Sequence, residues 1–134
     1  MGMSQERVEI VRKGIEAWNR HDLDVGLSYL AEDVEWKPAS PAAVERSVYR
    51  GHDQVASGFA GIWETWEVFL FEEAEIRDLG ESVLWLGNVH MRGSTSQIAL
   101  DQEFANHVVF AGDKVVRVKG FLSWQDALDA VKAE

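Results

Sequence analysis

Three kinds of residue in this 134-residue chain carry chemistry: four histidines, His21, His52, His90 and His107; an amide in an apolar stretch, Asn106; and six tryptophans. Histidines serve metal ligation or proton transfer, but metal sites draw ligands from close, regular spacings. These four fall on a helix end, a loop and two strands, so no metal is expected. Nor does any pattern ask for a cofactor. The stretch "GSTSQ" lacks the glycines of a phosphate-cradling loop, and no Gly-x-Ser-x-Gly marks a strained serine nucleophile. With no cysteine there is neither thiolate chemistry nor a disulfide framework, which fits a cytoplasmic setting.

Asn106 and the aromatics are the better lead. "FANHVVFAGDKVVRVKGFLSW", residues 104 to 124, reads as two strands around a tight turn. Side chains alternate across a strand, so Leu100, Gln102, Phe104, Asn106, Val108 and Phe110 share one face, and Val116, Val118, Gly120, Leu122 and Trp124 share one face of the next. Asn106 and Gly120 then look into the same interior. A small-molecule site is an apolar cavity with a few convergent polar groups. The candidate ligand-binding residues are Trp36, Tyr49, Phe59, Trp63, Trp85 and Met91 as walls, with Asn106 as the orienting polar group. The plainer reading of Trp18, Trp63 and Trp66, at helical spacing, is packing. No residue is assigned a catalytic role; Glu16 and His107 are the bases an undetected reaction would use.

The elements that must position these residues follow from periodicity. Val8, Val11, Ile15 and Trp18 form the apolar stripe of a helix over residues 5 to 20. Asp22 caps a second, shorter helix carrying Leu23, Leu27 and Leu30. "EDVEWKP" is a short strand ended by Pro38, and residues 38 to 48 form a loop that is a candidate lid. A third helix runs from after Gly51 to about Trp66. From Val68 the period becomes alternating, with turns at Gly80, Gly93 to Ser96 and Gly112-Asp113, giving four antiparallel strands. "SWQD" opens a closing helix with Ser123 as its cap. The acidic run "EEAE" at 72 to 75 suits a solvated sheet edge. The order describes one α+β domain over residues 1–134.

In the strand from 83 to 92, Trp85, Gly87, Val89 and Met91 point inward, with Asn88 and His90 outward. That leaves Leu84, Leu86, Val109 and Phe121 on the outer face, too apolar for a sheet covered on one side, and predicts a homodimer through it. The formal net charge of -10 opposes phosphate backbones and anionic surfaces, so neither nucleic acid nor membrane is an expected partner. Apolar runs are too short to span a bilayer, and no signal peptide opens the chain.

The stretches "AWNRHDLDVGLSYLAEDVEW", "YRGHDQV" and "FANHVVFAGDKVVRVKGFLSWQDALDAV" resemble the SnoaL-like branch of the nuclear-transport-factor-two-like superfamily. The resemblance covers nearly the whole chain. It implies a cone-shaped, curved antiparallel sheet wrapped around three N-terminal helices, with a short C-terminal helix, an apolar pocket and dimerisation through the sheet. Members resembling ketosteroid isomerase use a carboxylate base, a tyrosine and a protonated aspartate; these positions fall here on Lys37 or Pro38, on Gly14 and on Asn106. The aspartate of members resembling polyketide cyclases and limonene epoxide hydrolases falls on Gly120. Those activities need a base within hydrogen-bond reach of the reacting group, and Gly120 offers none. The expectation is a domain binding a small, mostly apolar metabolite. The alternatives are an isomerase, cyclase or dehydratase of a hydrophobic carbonyl compound, or a dimerisation module.

Overall fold

The stripe of the first helix and the alternation of the last four strands are both realised in the computed structural model, which describes residues 3–39, 48–93 and 99–132. Four helices, α1 (Met3–Asn19), α2 (Leu23–Ser28), α3 (Gly51–Thr65) and α4 (Trp124–Lys132), accompany six strands. The strands are β1 (Leu30–Lys37), β2 (Tyr49–Arg50), β3 (Trp66–Asp78), β4 (Ser82–Gly93), β5 (Ala99–Ala111) and β6 (Lys114–Phe121). Leu30, read as helical, instead opens β1. Of the candidate lid at residues 38 to 48, residues 40–47 lie outside the described residues.

All six strands form one sheet in the order β2-β1-β6-β5-β4-β3. β3 to β6 are the expected antiparallel meander, whereas β1 lies parallel to β6. Parallel neighbours need a long crossover, and α3 with the four strands β2, β3, β4 and β5 supplies it. The cone-shaped, purely antiparallel sheet is therefore corrected to an open, mixed one whose edges β2 and β3 do not pair. The physical reason is visible at β2, which has 2 residues and runs directly into α3, and so has no length to ladder with the 13-residue β3. "EEAE" lies on that β3 edge, where Glu72, Glu73 and Glu75 are exposed.

Helices α1 and α3 cover one face of the sheet, and the main core lies between, with Trp18, Val34, Val55, Ile62, Trp85 and Phe104 among its members. Polar clamps seat α1. Arg7 donates to the carbonyls of Gly112 and Gly80, at 3.0 and 2.9 Å, tying two hairpin turns to one helix. At the other end the Asn19 amide donates to the Phe71 carbonyl at 3.0 Å and accepts from its N–H at 2.9 Å.

The opposite face is covered by α4. Leu84, Leu86, Ala105 and Ala127 are buried together, packed by Phe121, Trp124, Leu128 and Val131. Ser123 Oγ caps this helix, accepting from Asp126 N at 3.1 Å. Trp124, expected among the inner residues, sits on this outer side, where its indole donates to the Gly87 carbonyl at 2.8 Å. Much of the apolar outer surface that the sequence left bare is thus covered within the chain.

Candidate functional site

Between α1, α2, α3 and the inner face of the sheet lies a cavity of about 160 Å³. Its sheet side is built by Val34 and Trp36 of β1, Phe104, Asn106 and Val108 of β5, and Val118 of β6. Alternation puts Phe104, Asn106 and Val108 on one face, as expected. In β6 the inward residue near the turn is Val115, not Val116, because a register shift between Val109 and Phe110 moves the phase of the pairing by one.

The helical side is aromatic. Trp18 meets Phe59 edge-on at 4.8 Å and 85°, and Trp63 at 5.1 Å; Phe59 also meets Trp36 edge-on at 5.0 Å. Edge-to-face contacts of this kind hold rings in fixed places. Trp18 is anchored further by its indole N–H, which donates to the Phe69 carbonyl at 3.0 Å. The indole N–H of Trp63 is buried and makes no hydrogen bond. His21 stacks on the Trp63 ring at 4.6 Å and 19°.

Polar groups at the cavity are few. Asn106 contributes an amide, Tyr29 a phenol, and Asp22 the carboxylate among the described lining residues. Asp22 is placed by the end of α1. His21 takes a left-handed φ of 58°, His21 N donates to Trp18 O at 2.9 Å, and Asp22 N to Ala17 O at 2.8 Å, a Schellman closure that starts α2 at once. The carboxylate then caps α2, accepting from Val25 N at 3.2 Å, with Arg20 at 3.8 Å. Asp22 is therefore committed to structure.

Of the seven candidate residues, Trp36, Phe59, Trp63 and Asn106 line the cavity. Tyr49 does not; it is buried behind Trp36, with ring centroids 5.0 Å apart. Trp85 is 0 % exposed and packs on Phe71 at 5.6 Å, in the core rather than the wall. Met91 packs against the same core away from the cavity. Sequence reasoning missed Trp18, Phe69, Phe71 and Tyr29 as wall residues; the helical stripe marked Trp18 as buried without distinguishing wall from core.

The two bases held open for a reaction are elsewhere. Glu16 is on the exposed side of α1. His107 lies on the outer face, 2.9 Å from Ser82 Oγ. The positions implied by the resemblance do converge: Gly14, Pro38 and Asn106 all line the cavity. None of them brings an ionisable group. Lys37 points instead to Glu35, at 3.6 Å. Gly120 is buried, and a Cβ there would lie 2.8 Å from Ala39 N and 3.3 Å from the Phe104 ring. Among the described residues no group of three or more His, Asp or Glu could hold a metal, and no helix is long and apolar enough to cross a membrane.

The family model described as a SnoaL-like domain matches residues 11–118. Solved structures share the fold. An NTF2-like protein from Burkholderia xenovorans superposes with a TM-score of 0.77 at 26% identity, covering 96% of this chain and 98% of the other. An NTF2-like protein of unknown function from Burkholderia pseudomallei gives 0.80 at 20% identity, covering 92% and 95%. A Catenulispora acidiphila protein with a ketosteroid isomerase-like fold, in complex with trimethylamine, gives 0.76 at 15% identity, covering 90% of each chain. No curated protein matches.

Proposed function

We propose, from the premise that this chain belongs to the SnoaL-like family, that its cavity binds a small, mostly apolar metabolite oriented by Asn106. The observation that carries this reading is the wall itself: apolar and aromatic side chains surround a space in which Asn106 is the one amide among the described lining residues. An apolar cavity with sparse, placed polar groups is the common form of a small-molecule site. The test is tryptophan fluorescence and thermal shift against neutral carbonyl compounds and alcohols, with trimethylamine in the panel, repeated on Asn106→Ala. A saturable response, weakened in the variant, is expected; a panel without any response removes the reading.

Binding rather than turnover is favoured because Asp22, the carboxylate at the cavity, already serves as a helix cap and faces Arg20. An isomerase, cyclase or dehydratase would have to use Asp22 or Tyr29 as its proton-transfer group, and Asp22→Asn would then abolish turnover. A homodimer is proposed only through the part of the outer face that α4 leaves open, around Leu70 and His90. A solution mass that stays monomeric at micromolar concentration removes it.

A further inference from the structure

We infer that Gly14 is the specificity-determining position of the cavity: it holds the α1 side of the wall open, so that a one-ring apolar compound packs against bare helix backbone there. This rests on the ligand-site reading above and deepens it, from a cavity to the surface on which its occupant lies.

Gly14 stands in the interior of α1, three residues after Val11 and four before Trp18, each of which is 7% exposed. That spacing puts it in the middle of the buried stripe, where a core side chain would point inward. Val11, Gly14, Ile15 and Trp18 all line the cavity. The stripe thus has a gap at its centre.

Two stabilising contributions are given up at that gap. Glycine in a helix interior weakens the helix relative to alanine, and empty space beside a core wall forfeits dispersion contacts. A helical glycine that answers to a close neighbour looks different. At Gly58 of α3 a Cβ would lie 2.7 Å from the Trp36 ring and 2.9 Å from the Tyr49 ring, so packing there requires glycine. Gly14 has no such neighbour within 4 Å of an added Cβ, and its φ is not left-handed. Neither packing nor backbone conformation explains it; room for an occupant does. Gly26 of α2 repeats the pattern, as a second wall residue with nothing within 4 Å of its Cβ position. Gly61 of α3 is equally open but is not among the described lining residues, which makes it the control.

The volume bounds the occupant. A cavity of about 150 Å³ takes a benzene-sized molecule, and this one measures about 160 Å³. In a space of that size a methyl group on residue 14 competes with the ligand for room. One methylene in an apolar pocket is worth about tenfold or more in discrimination.

The experiment is calorimetric titration of the full chain with benzene, toluene, cyclohexanone and progesterone, with thermal unfolding of the unliganded chain alongside, on wild type, Gly14→Ala, Gly14→Leu and Gly61→Ala. Without ligand, Gly14→Ala and Gly61→Ala should both raise the midpoint by about 2–4 °C, the helix gain of alanine over glycine. Toluene affinity should fall about tenfold or more in Gly14→Ala, vanish in Gly14→Leu and stay at the wild-type value in Gly61→Ala. A wall position that is more stable when filled, and binds less, is the signature of space kept for a ligand. Where Gly14→Leu does not fold, Gly14→Ala alone decides. One-ring probes that bind wild type and Gly14→Ala alike overturn the inference and leave the ligand-site reading intact. So does a midpoint lowered in Gly14→Ala, because packing would then require the glycine, and so does an equal loss of affinity in Gly61→Ala. Progesterone binding more tightly than every one-ring probe overturns the size. Absence of binding by every probe to wild type overturns both the inference and the reading.

Discussion

At Gly120 the added methyl of an alanine would stand 2.8 Å from the backbone nitrogen of Ala39, a contact that requires the chain to move. Gly120→Ala should therefore cost about 1–3 kcal/mol, the usual range for overpacking a filled interior, read as a lower denaturation midpoint with an unchanged slope. Gly120→Asp should be worse, because it forces a carboxylate into a space bounded by Ala39 and the Phe104 ring. This corrects the meaning of the glycine. Placing an aspartate there would not restore a proton-transfer group, since the space it needs is occupied by the segment leaving β1. Gly14 differs: nothing lies within 4 Å of a Cβ built on it, so that wall position is open. A destabilisation below a few tenths of a kcal/mol in Gly120→Ala would show that Ala39 gives way easily.

Between elements, the seating of α1 on the sheet edge is the contact on which the cavity depends, because Trp18 and Asn19 both bind the backbone of β3 from the last turn of that helix. Asn19→Ala removes two hydrogen bonds at about 1 kcal/mol each. It is expected to lower stability by that sum and to speed amide exchange at Phe71; exchange unchanged there would mean that Trp18 alone holds the edge. Much at this scale was legible in the sequence. The stripe of α1, the caps Asp22 and Ser123, the four-strand meander and the inward face of Asn106 all follow from local periodicity and side-chain chemistry. What was not legible is non-local. The shift that turns Val115 inward is a bulge in strand pairing, which a period-two count along one strand does not contain. The open sheet depends on β2 stopping after two residues, and the covered outer face on where α4 docks. Trp36 and Trp85 carry equal local signals, yet one is wall and the other core, because that choice is made by three-dimensional neighbours. The unpaired indole of Trp63 has no sequence signature at all.

For the molecule as a whole, acidic charge dominates, with 23 Asp and Glu against 13 Lys and Arg, and the outer face beyond α4 gathers part of it around one histidine. His90 on β4 hydrogen-bonds Asp101 of β5 through Nδ1 and stands 3.3 Å from Glu72 of β3 through Nε2, so it bridges three strands. The bond to Asp101, and then that to Glu72, raises its pKa above the ordinary 6.5. A raised folded-state pKa means that the native chain binds this proton more tightly than the unfolded one. The contribution is fully present below about pH 6.5 and is lost as pH rises through the higher folded value. The side chain is 40% exposed, so the effect is small and screened by salt. Thermal unfolding of wild type and His90→Gln between about pH 5.5 and 8.5 checks it. The wild-type advantage should shrink as pH rises, and should also shrink when salt is added at the acid end. A difference that stays constant across pH would mean that His90 contributes packing and not charge. The same melts address assembly: a dimer through this face would make the midpoint rise with protein concentration. A midpoint independent of concentration, with the pH effect intact, would place the three-strand bridge within a single chain.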